Sequence, residues 1–264
     1  MAEDLLKDID KIKKYRNTVE FEVSAPLAMF SDVVTRAGGE KYSYPVPTYE
    51  ALKGILQSVY FKPTIVWHID AVRVMNPIRR VRKGIRPIKY SGGNDLAYYT
   101  YLCDVRYQVR AHFEWNMNRP ELACDRNENK HHNIAKRMIA RGGRRDTFAG
   151  TRECFCEVSP CVFGEGVGVF DGTGEIDLGY MYNGITYADE AVCESDKGML
   201  TVRFAEVVMK NGIIVFMRPE DFPENQKRHI RPMEIKKFGK EQNNFIGLEE
   251  FEELEGGGAV ELGK

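Results

Sequence analysis

Apolar and polar positions alternate along this chain in two different periods. Val19, Phe21 and Val23 are separated by single polar residues, the period-two pattern of a strand with one buried face. Leu52, Ile55, Leu56 and Val59 recur at helical spacing, and Thr48 just ahead of them is a residue type that caps a helix start. The β-branched run from Ile65 to Val74 predicts a second strand. Residues 97–115 alternate again and carry Tyr98, Tyr99, Tyr101, Tyr107, Phe113 and Trp115, so they read as one long strand or as a pair broken near Cys103-Asp104. A second helix is expected over 128–141, stopped by Gly142-Gly143, and a further strand over 151–163. The order strand, helix, strand, strand, helix, strand is that of an α+β ferredoxin-like (RRM-like) βαββαβ unit. Right-handed crossovers put both helices on one face of a four-stranded antiparallel sheet.

The flanks differ. Residues 1–16 read as an N-terminal extension with Leu5, Leu6, Ile9 and Ile12 at helical spacing, and 17–163 as the ferredoxin-like unit. Residues 164–240 open with a Gly-rich stretch and carry Asn211-Gly212 between two apolar alternating runs. That dipeptide is a strong hairpin signal, because both central turn positions need positive φ. A small C-terminal antiparallel β-sheet domain is expected there, followed by an acidic, flexible tail over 241–264.

With 264 residues, 43% hydrophobic and 29% charged, the chain has globular composition, which excludes a disordered or collagen-like protein. No apolar run approaches the roughly 20 residues of a membrane span, and the acidic Met-Ala-Glu-Asp start lacks a signal-peptide layout. Six cysteines without an export signal read as reduced thiols, so a soluble cytoplasmic protein without membrane partners is expected. The net charge of −1 hides an asymmetry. Residues 1–150 hold 26 basic and 17 acidic side chains, a balance of +9, and residues 151–264 hold 12 and 22, a balance of −10. One basic stretch is Arg73, Arg79, Arg80, Arg82, Lys83, Arg86 and Lys89, which Gly84, Pro87 and Gly92-Gly93 mark as a loop or hairpin tip. A second is Lys130, Lys136, Arg137, Arg141, Arg144 and Arg145. Two such clusters in one part of a near-neutral chain point to a polyanion such as nucleic acid.

Four local patterns bear on chemistry. Cys154, Cys156 and Cys161 lack the paired spacing of zinc sites and read as buried strand cysteines. Gly164-Glu165-Gly166-Val167-Gly168 is only loosely like a phosphate cradle, because no helix pattern follows it. No metal or cofactor is expected. Lys130-His131-His132 opens a helix in a basic setting, where an imidazole moves protons and an ammonium neutralises a phosphate. Tyr42-Ser43-Tyr44-Pro45-Val46-Pro47-Thr48 places tyrosines in a proline-stiffened loop before the first helix.

The segment YSYPVPTYEALKGILQSVYFKP at 42–63 and Asn-Pro-Ile-Arg at 76–79 resemble the CRISPR-associated proteins of family five, Dvulg subtype, from type I-C systems. So do Lys130-His131, Gly142-Gly143-Arg144-Arg145, Gly150-Thr151-Arg152-Glu153-Cys154 and Met209-Lys210-Asn211-Gly212. The resemblance runs from about residue 17 to residue 217. It implies a metal-independent endoribonuclease that cuts precursor CRISPR RNA within the repeat and stays bound to the mature RNA. Implied partners are the backbone and large subunits of the type I-C interference complex, with double-stranded DNA a further candidate. The alternative it leaves open is a non-catalytic cap on the RNA 5′ handle.

The resemblance also implies a catalytic set of Tyr44, Lys130 and His131. RNA carries its own nucleophile in the 2′-hydroxyl. His131 would move a proton with Tyr44 as partner or orienting donor, and Lys130 would stabilise the charge on the phosphorane; which of Tyr44 and His131 is acid and which base stays open. Arg79, Arg80, Arg82, Lys83, Lys89, His132, Arg141, Arg144 and Arg145 would hold the RNA, chiefly through phosphates. The strand tyrosines are expected to be packed rather than stacked on bases.

Overall fold

The computed structural model describes residues 12–35 and 39–235. Leu5, Leu6 and Ile9 of the extension, and the acidic tail, lie outside the described residues. The elements run β1 (Val19–Ala28), α1 (Tyr49–Val59), β2 (Ile65–Val74), β3 (Arg79–Ile85), β4 (Ala97–Trp115), α2 (Glu128–Ala140), β5 (Thr147–Phe148) and β6 (Phe155–Pro160). After them come β7 (Glu175–Thr186), β8 (Met199–Lys210), β9 (Ile213–Val215) and β10 (Lys227–Pro232). The fold is mixed α/β, with one large antiparallel sheet and few helices. Among the described residues no helix is long and apolar enough to cross a membrane.

The sheet order is β10-β8-β9-β2-β4-β1-β6-β5, with β3 on β4 and β7 on β8. The four strands expected first, β1, β2, β4 and β6, are therefore adjacent as β2-β4-β1-β6, and each neighbouring pair is antiparallel. Val19, Phe21 and Val23 of β1 are all buried, as the alternation requires. Thr48 caps α1 by accepting from the Ala51 N–H at 3.2 Å, and Leu52, Ile55, Leu56 and Val59 face the core. Asn127 caps α2 by accepting from the Lys130 N–H at 3.0 Å. The far end of α2 closes with Gly142 N–H on the Ile139 carbonyl and Gly143 N–H on the Met138 carbonyl, and both glycines have positive φ.

Two expectations change, and one pair of alternatives is decided. The basic stretch is a strand as well as a loop: β3 pairs with 97–103 of β4 in a two-stranded arm whose tip is 86–96. Residues 97–115 form one strand, and Asp104 absorbs the irregularity with a φ of 53°. The last strand of the unit is shorter than 151–163, because residues 151–153 form a turn before β6.

The C-terminal strands do not form a sheet of their own. β9 pairs with both β2 and β8, joining them to the edge of the main sheet. The turn between β8 and β9 is the expected one, with φ of 49° at Asn211 and 81° at Gly212. Arg73 also leaves the polyanion face. It is fully buried, and its guanidinium bonds both Asp171 carboxylate oxygens (2.9 and 2.7 Å), Gln108 (3.1 Å) and the carbonyls of Glu165 and Gly166. The Gly-rich loop that is only loosely like a phosphate cradle is thus pinned to the sheet by Arg73 together with Gln108, which donates to the Glu165 carbonyl at 2.8 Å and accepts from the Gly164 N–H at 2.9 Å.

Candidate functional site

The C-terminal end of α1 meets α2. A Cβ on Gly143 would lie 3.6 Å from a methyl of Val59, and Tyr60, the residue that closes α1, reaches His131. Tyr60 is held at both backbone ends: its N–H donates to the Leu56 carbonyl at 2.8 Å, and its carbonyl accepts from the Trp67 indole at 2.8 Å. Phe113 and Trp115, at the end of β4, stand edge-on to the imidazole with centroids 6.1 and 5.8 Å away. His131 is fully buried in this aromatic cage, and Tyr60 is 2% exposed.

The hydrogen bonds fix the tautomer. Nε2 of His131 lies 2.8 Å from the Asp125 main-chain carbonyl, which can only accept, so Nε2 carries the hydrogen. Nδ1 of the neutral ring is then an acceptor, and the Tyr60 hydroxyl donates to it at 2.7 Å. Burial and the nearby Asp125 charge push the Tyr60 phenol above its ordinary value, while Arg144 pulls the other way. Tyr60 therefore keeps its proton at neutral pH and donates it in the hydrogen bond to Nδ1 of His131.

Lys130 is the open member of the group, with its side chain 48% exposed and its ammonium paired to the Asp125 carboxylate. That hydrogen bond, with another from Thr64 at 2.9 Å, holds the Asp125 carboxyl below its usual range. Neither Tyr60 nor Asp125 is among the residues expected from the sequence. Tyr60 sits within the family-like segment, one residue past the apolar face of α1. Asp125 lies five residues before Lys130. Nothing in either local pattern separates them from ordinary core and loop residues.

Tyr44 is not brought to the pair. It precedes the first turn of α1, where its N–H donates to the Phe30 carbonyl and its hydroxyl accepts from the Tyr182 N–H at 3.4 Å. Tyr60 follows the last turn. The 11-residue helix between them is about 16 Å long, and the Tyr60 hydroxyl that meets His131 follows its far end. Burial, with Asp32 nearby, raises the Tyr44 phenol above its ordinary value. The tyrosine that meets Lys130–His131 closes the helix instead of preceding it.

The basic residues form two exposed faces. On the arm, Arg79, Arg80, Arg82, Lys83 and Lys89 are all exposed. Arg80 lies over the Tyr42 ring at 5.1 Å and Arg82 over the Tyr98 ring at 4.2 Å. Tyr42 and Tyr98 are exposed beside them, whereas Tyr101, Tyr107 and Phe113 are buried as expected. Arg141, Arg144 and Arg145 are exposed at the end of α2, and Arg144 is close enough to act on the Tyr60 charge. His132 is half-buried and donates to the Thr18 carbonyl at 3.1 Å, tying α2 to the start of β1. Cys154 and Cys156 are buried and Cys161 half-buried; burial raises all three thiols, Cys156 to about 11 and Cys161 to about 12. Among the described residues no three His, Cys, Asp or Glu side chains are grouped to hold a metal ion.

A family model described as CRISPR-associated protein (Cas_Cas5), Cas5d type, matches residues 18–217. The chain is similar to a Mannheimia succiniciproducens protein named CRISPR pre-crRNA endoribonuclease Cas5d, 31% identical over 126 residues that cover 39% of this chain and 55% of that one. It thus spans about half the length of that curated relative. Two solved structures are also similar. One, described as a CRISPR-associated protein, is 33% identical with a TM-score of 0.61, covering 77% of this chain and 93% of that one. The other, the functionally uncharacterized protein SMU1763c from Streptococcus mutans, is 34% identical with a TM-score of 0.60, covering 77% and 94%.

Proposed function

We propose a function from one premise: the chain belongs to the CRISPR-associated Cas5d family, whose model spans residues 18–217. The protein is a metal-independent endoribonuclease that cuts precursor CRISPR RNA within its repeat and remains on the product as a subunit of a type I-C interference complex in the cytoplasm. Residues 17–163 are its ferredoxin-like unit, a reading supported by the antiparallel order β2-β4-β1-β6, and 164–240 are a β-rich addition to it. The observation that carries the catalytic reading is the Tyr60–His131 hydrogen bond beside Lys130 and the exposed Arg144.

The chemistry follows from burial. His131 is enclosed and the Tyr60 hydroxyl meets its Nδ1, so the proposed proton path runs through Tyr60. As the 2′-hydroxyl attacks phosphorus, its proton passes to the Tyr60 oxygen while the Tyr60 proton passes to Nδ1 of His131. The 2′-O–P bond forms, the P–O5′ bond breaks, and the proton returns through Tyr60 to the departing 5′-oxygen. A relay of this kind avoids a tyrosinate that the raised phenol disfavours. Lys130 neutralises the phosphorane charge, and proton transfer by positioned groups gives roughly 10²- to 10⁴-fold. The products are a 2′,3′-cyclic phosphate and a 5′-hydroxyl. The arm and the α2 end hold the RNA on both sides through phosphates.

One observation favours a second reading. Tyr60 and His131 are both buried, as a structural pair would be, which suits a non-cutting cap on the RNA 5′ handle. Incubating the purified protein with CRISPR repeat RNA in EDTA separates the two. Specific cutting that a single 2′-deoxy substitution at the cut site abolishes supports the nuclease. Tight binding with intact RNA supports the cap, and cutting of the 2′-deoxy RNA overturns the transesterification.

A further inference from the structure

We infer that Asp125 is a positioning residue with two states: it holds the Lys130 ammonium in the free protein, releases it to an RNA phosphate, and then faces the His131 ring. This deepens the nuclease reading above and rests on it. Asp125 ends a short 3-10 turn, Pro120–Asp125, and uses three acceptor atoms on the two functional residues. Oδ1 pairs with the Lys130 ammonium, Oδ2 lies 3.5 Å from Nε2 of His131, and the main-chain carbonyl accepts the Nε2 hydrogen at 2.8 Å. One residue therefore sets the tautomer of the histidine and the resting place of the lysine.

The ion pair is open to exchange. Lys130 is 48% exposed and the Asp125 side chain 25%, so an incoming phosphate reaches the ammonium and replaces one oxyanion with another. The Asp125 carboxylate stays put when this happens, because the Thr64 hydroxyl donates to Oδ2 at 2.9 Å and does not depend on Lys130. It is then a free negative charge beside Nε2 at the moment the ring takes a proton on Nδ1. Every cation faces an anion in both states: ammonium with carboxylate at rest, then ammonium with phosphate and imidazolium with carboxylate during transfer. The proton that makes the imidazolium comes from the 2′-hydroxyl through Tyr60 and leaves on the 5′-oxygen, so no other reactant is needed.

Asp125→Asn in the full chain tests this with two RNAs. One is the unmodified repeat transcript, for single-turnover cutting. The other is the same repeat with 2′-fluoro at every position, which lacks the nucleophile and reports binding alone. Removing the competing carboxylate is expected to tighten 2′-fluoro RNA binding by about two- to fivefold, the scale of a half-exposed ion pair. The gain is expected to vanish in a Lys130→Ala background. The cutting rate at saturating RNA is expected to fall by about tenfold or more, because the imidazolium loses its counter-charge. A purely structural role moves both quantities the same way; a hand-over moves them in opposite directions. Unchanged or weaker binding, a gain that persists without Lys130, or an unchanged cutting rate overturns the inference. Wild type that leaves the transcript intact, while Asp125→Asn still tightens Lys130-dependent binding, sinks the nuclease reading and upholds the release of Lys130 to phosphate. Should Asp125→Asn fail to fold, Asp125→Ser removes the same carboxylate and is judged by the same two measurements.

Discussion

Removing one hydroxyl oxygen from Tyr60 separates the proposed relay from its rivals. Tyr60→Phe leaves the ring in its cage and the helix end intact, but the fully buried His131 loses the 2.7 Å donor to its Nδ1. A buried acceptor left unpaired costs about 1–3 kcal/mol. At ~2–4 °C per kcal/mol for a chain of this size, a melting point lower by several degrees is expected. Cutting is expected to fall by roughly 10²- to 10⁴-fold, because the enclosed imidazole loses the hydroxyl through which the proposed relay runs. Tyr44→Phe is the matched control. It removes hydrogen bonding with the Tyr182 N–H, at 3.4 Å the long limit, and with the Val33 backbone and Asp32, none of which reaches His131, so about 1–3 kcal/mol is expected and cutting is unchanged. Single-turnover cleavage of repeat RNA by the two variants, with binding measured in parallel, decides the matter. Equal losses from both, or a Tyr60→Phe protein that cuts at the wild-type rate, would remove the relay.

Arg73→Met is expected to cost about 3–5 kcal/mol in urea unfolding, because it leaves the Asp171 carboxylate and two loop carbonyls without their buried cation. A loss within 0.5 kcal/mol of zero, the scale of an ordinary surface change, would mean that the Gly-rich loop is held by something else. Maleimide at pH 8 is expected to label exposed Cys124 first and to spare Cys154, Cys156 and Cys161, whose thiols burial keeps protonated; peptide mapping reads this directly. Asp125 gives a pH signature of known sign. Its carboxyl is lower in the folded protein than the unfolded value of about 3.9, so its contribution is full above that value and is lost as pH falls through the folded one. Urea midpoints between pH 3 and 6 should therefore fall more steeply in acid for wild type than for Asp125→Asn. Parallel curves would contradict the assignment.

Local pattern decided much of this protein by itself. Thr48 and the Leu52, Ile55, Leu56, Val59 stripe set α1; Asn211-Gly212 set a turn that needs two positive φ angles; Gly142-Gly143 stopped α2. Each depends on neighbours within a few residues, where sterics and hydrogen bonding act without help from the rest of the chain. The exposed basic arm was legible for a related reason, since the arginines and lysines of 79–89 have no acidic neighbour within the stretch to neutralise them.

Tertiary structure decided which residues meet. Arg73 and Arg79 belong to one basic run in the sequence, yet one is fully buried against Asp171, 98 residues away, and the other faces solvent. Whether the tyrosine before α1 or the one after it joins Lys130–His131 depends on which end of that helix lies against α2. The strands that settle the point are distant in the chain: β7 holds Tyr44 through Tyr182, while β2 and β4 hold Tyr60 and His131 through Trp67, Phe113 and Trp115. A residue's type and spacing state what chemistry it can do. Its partners come from long-range packing, because burial, charge pairing and hydrogen-bond geometry are properties of atoms brought together in space.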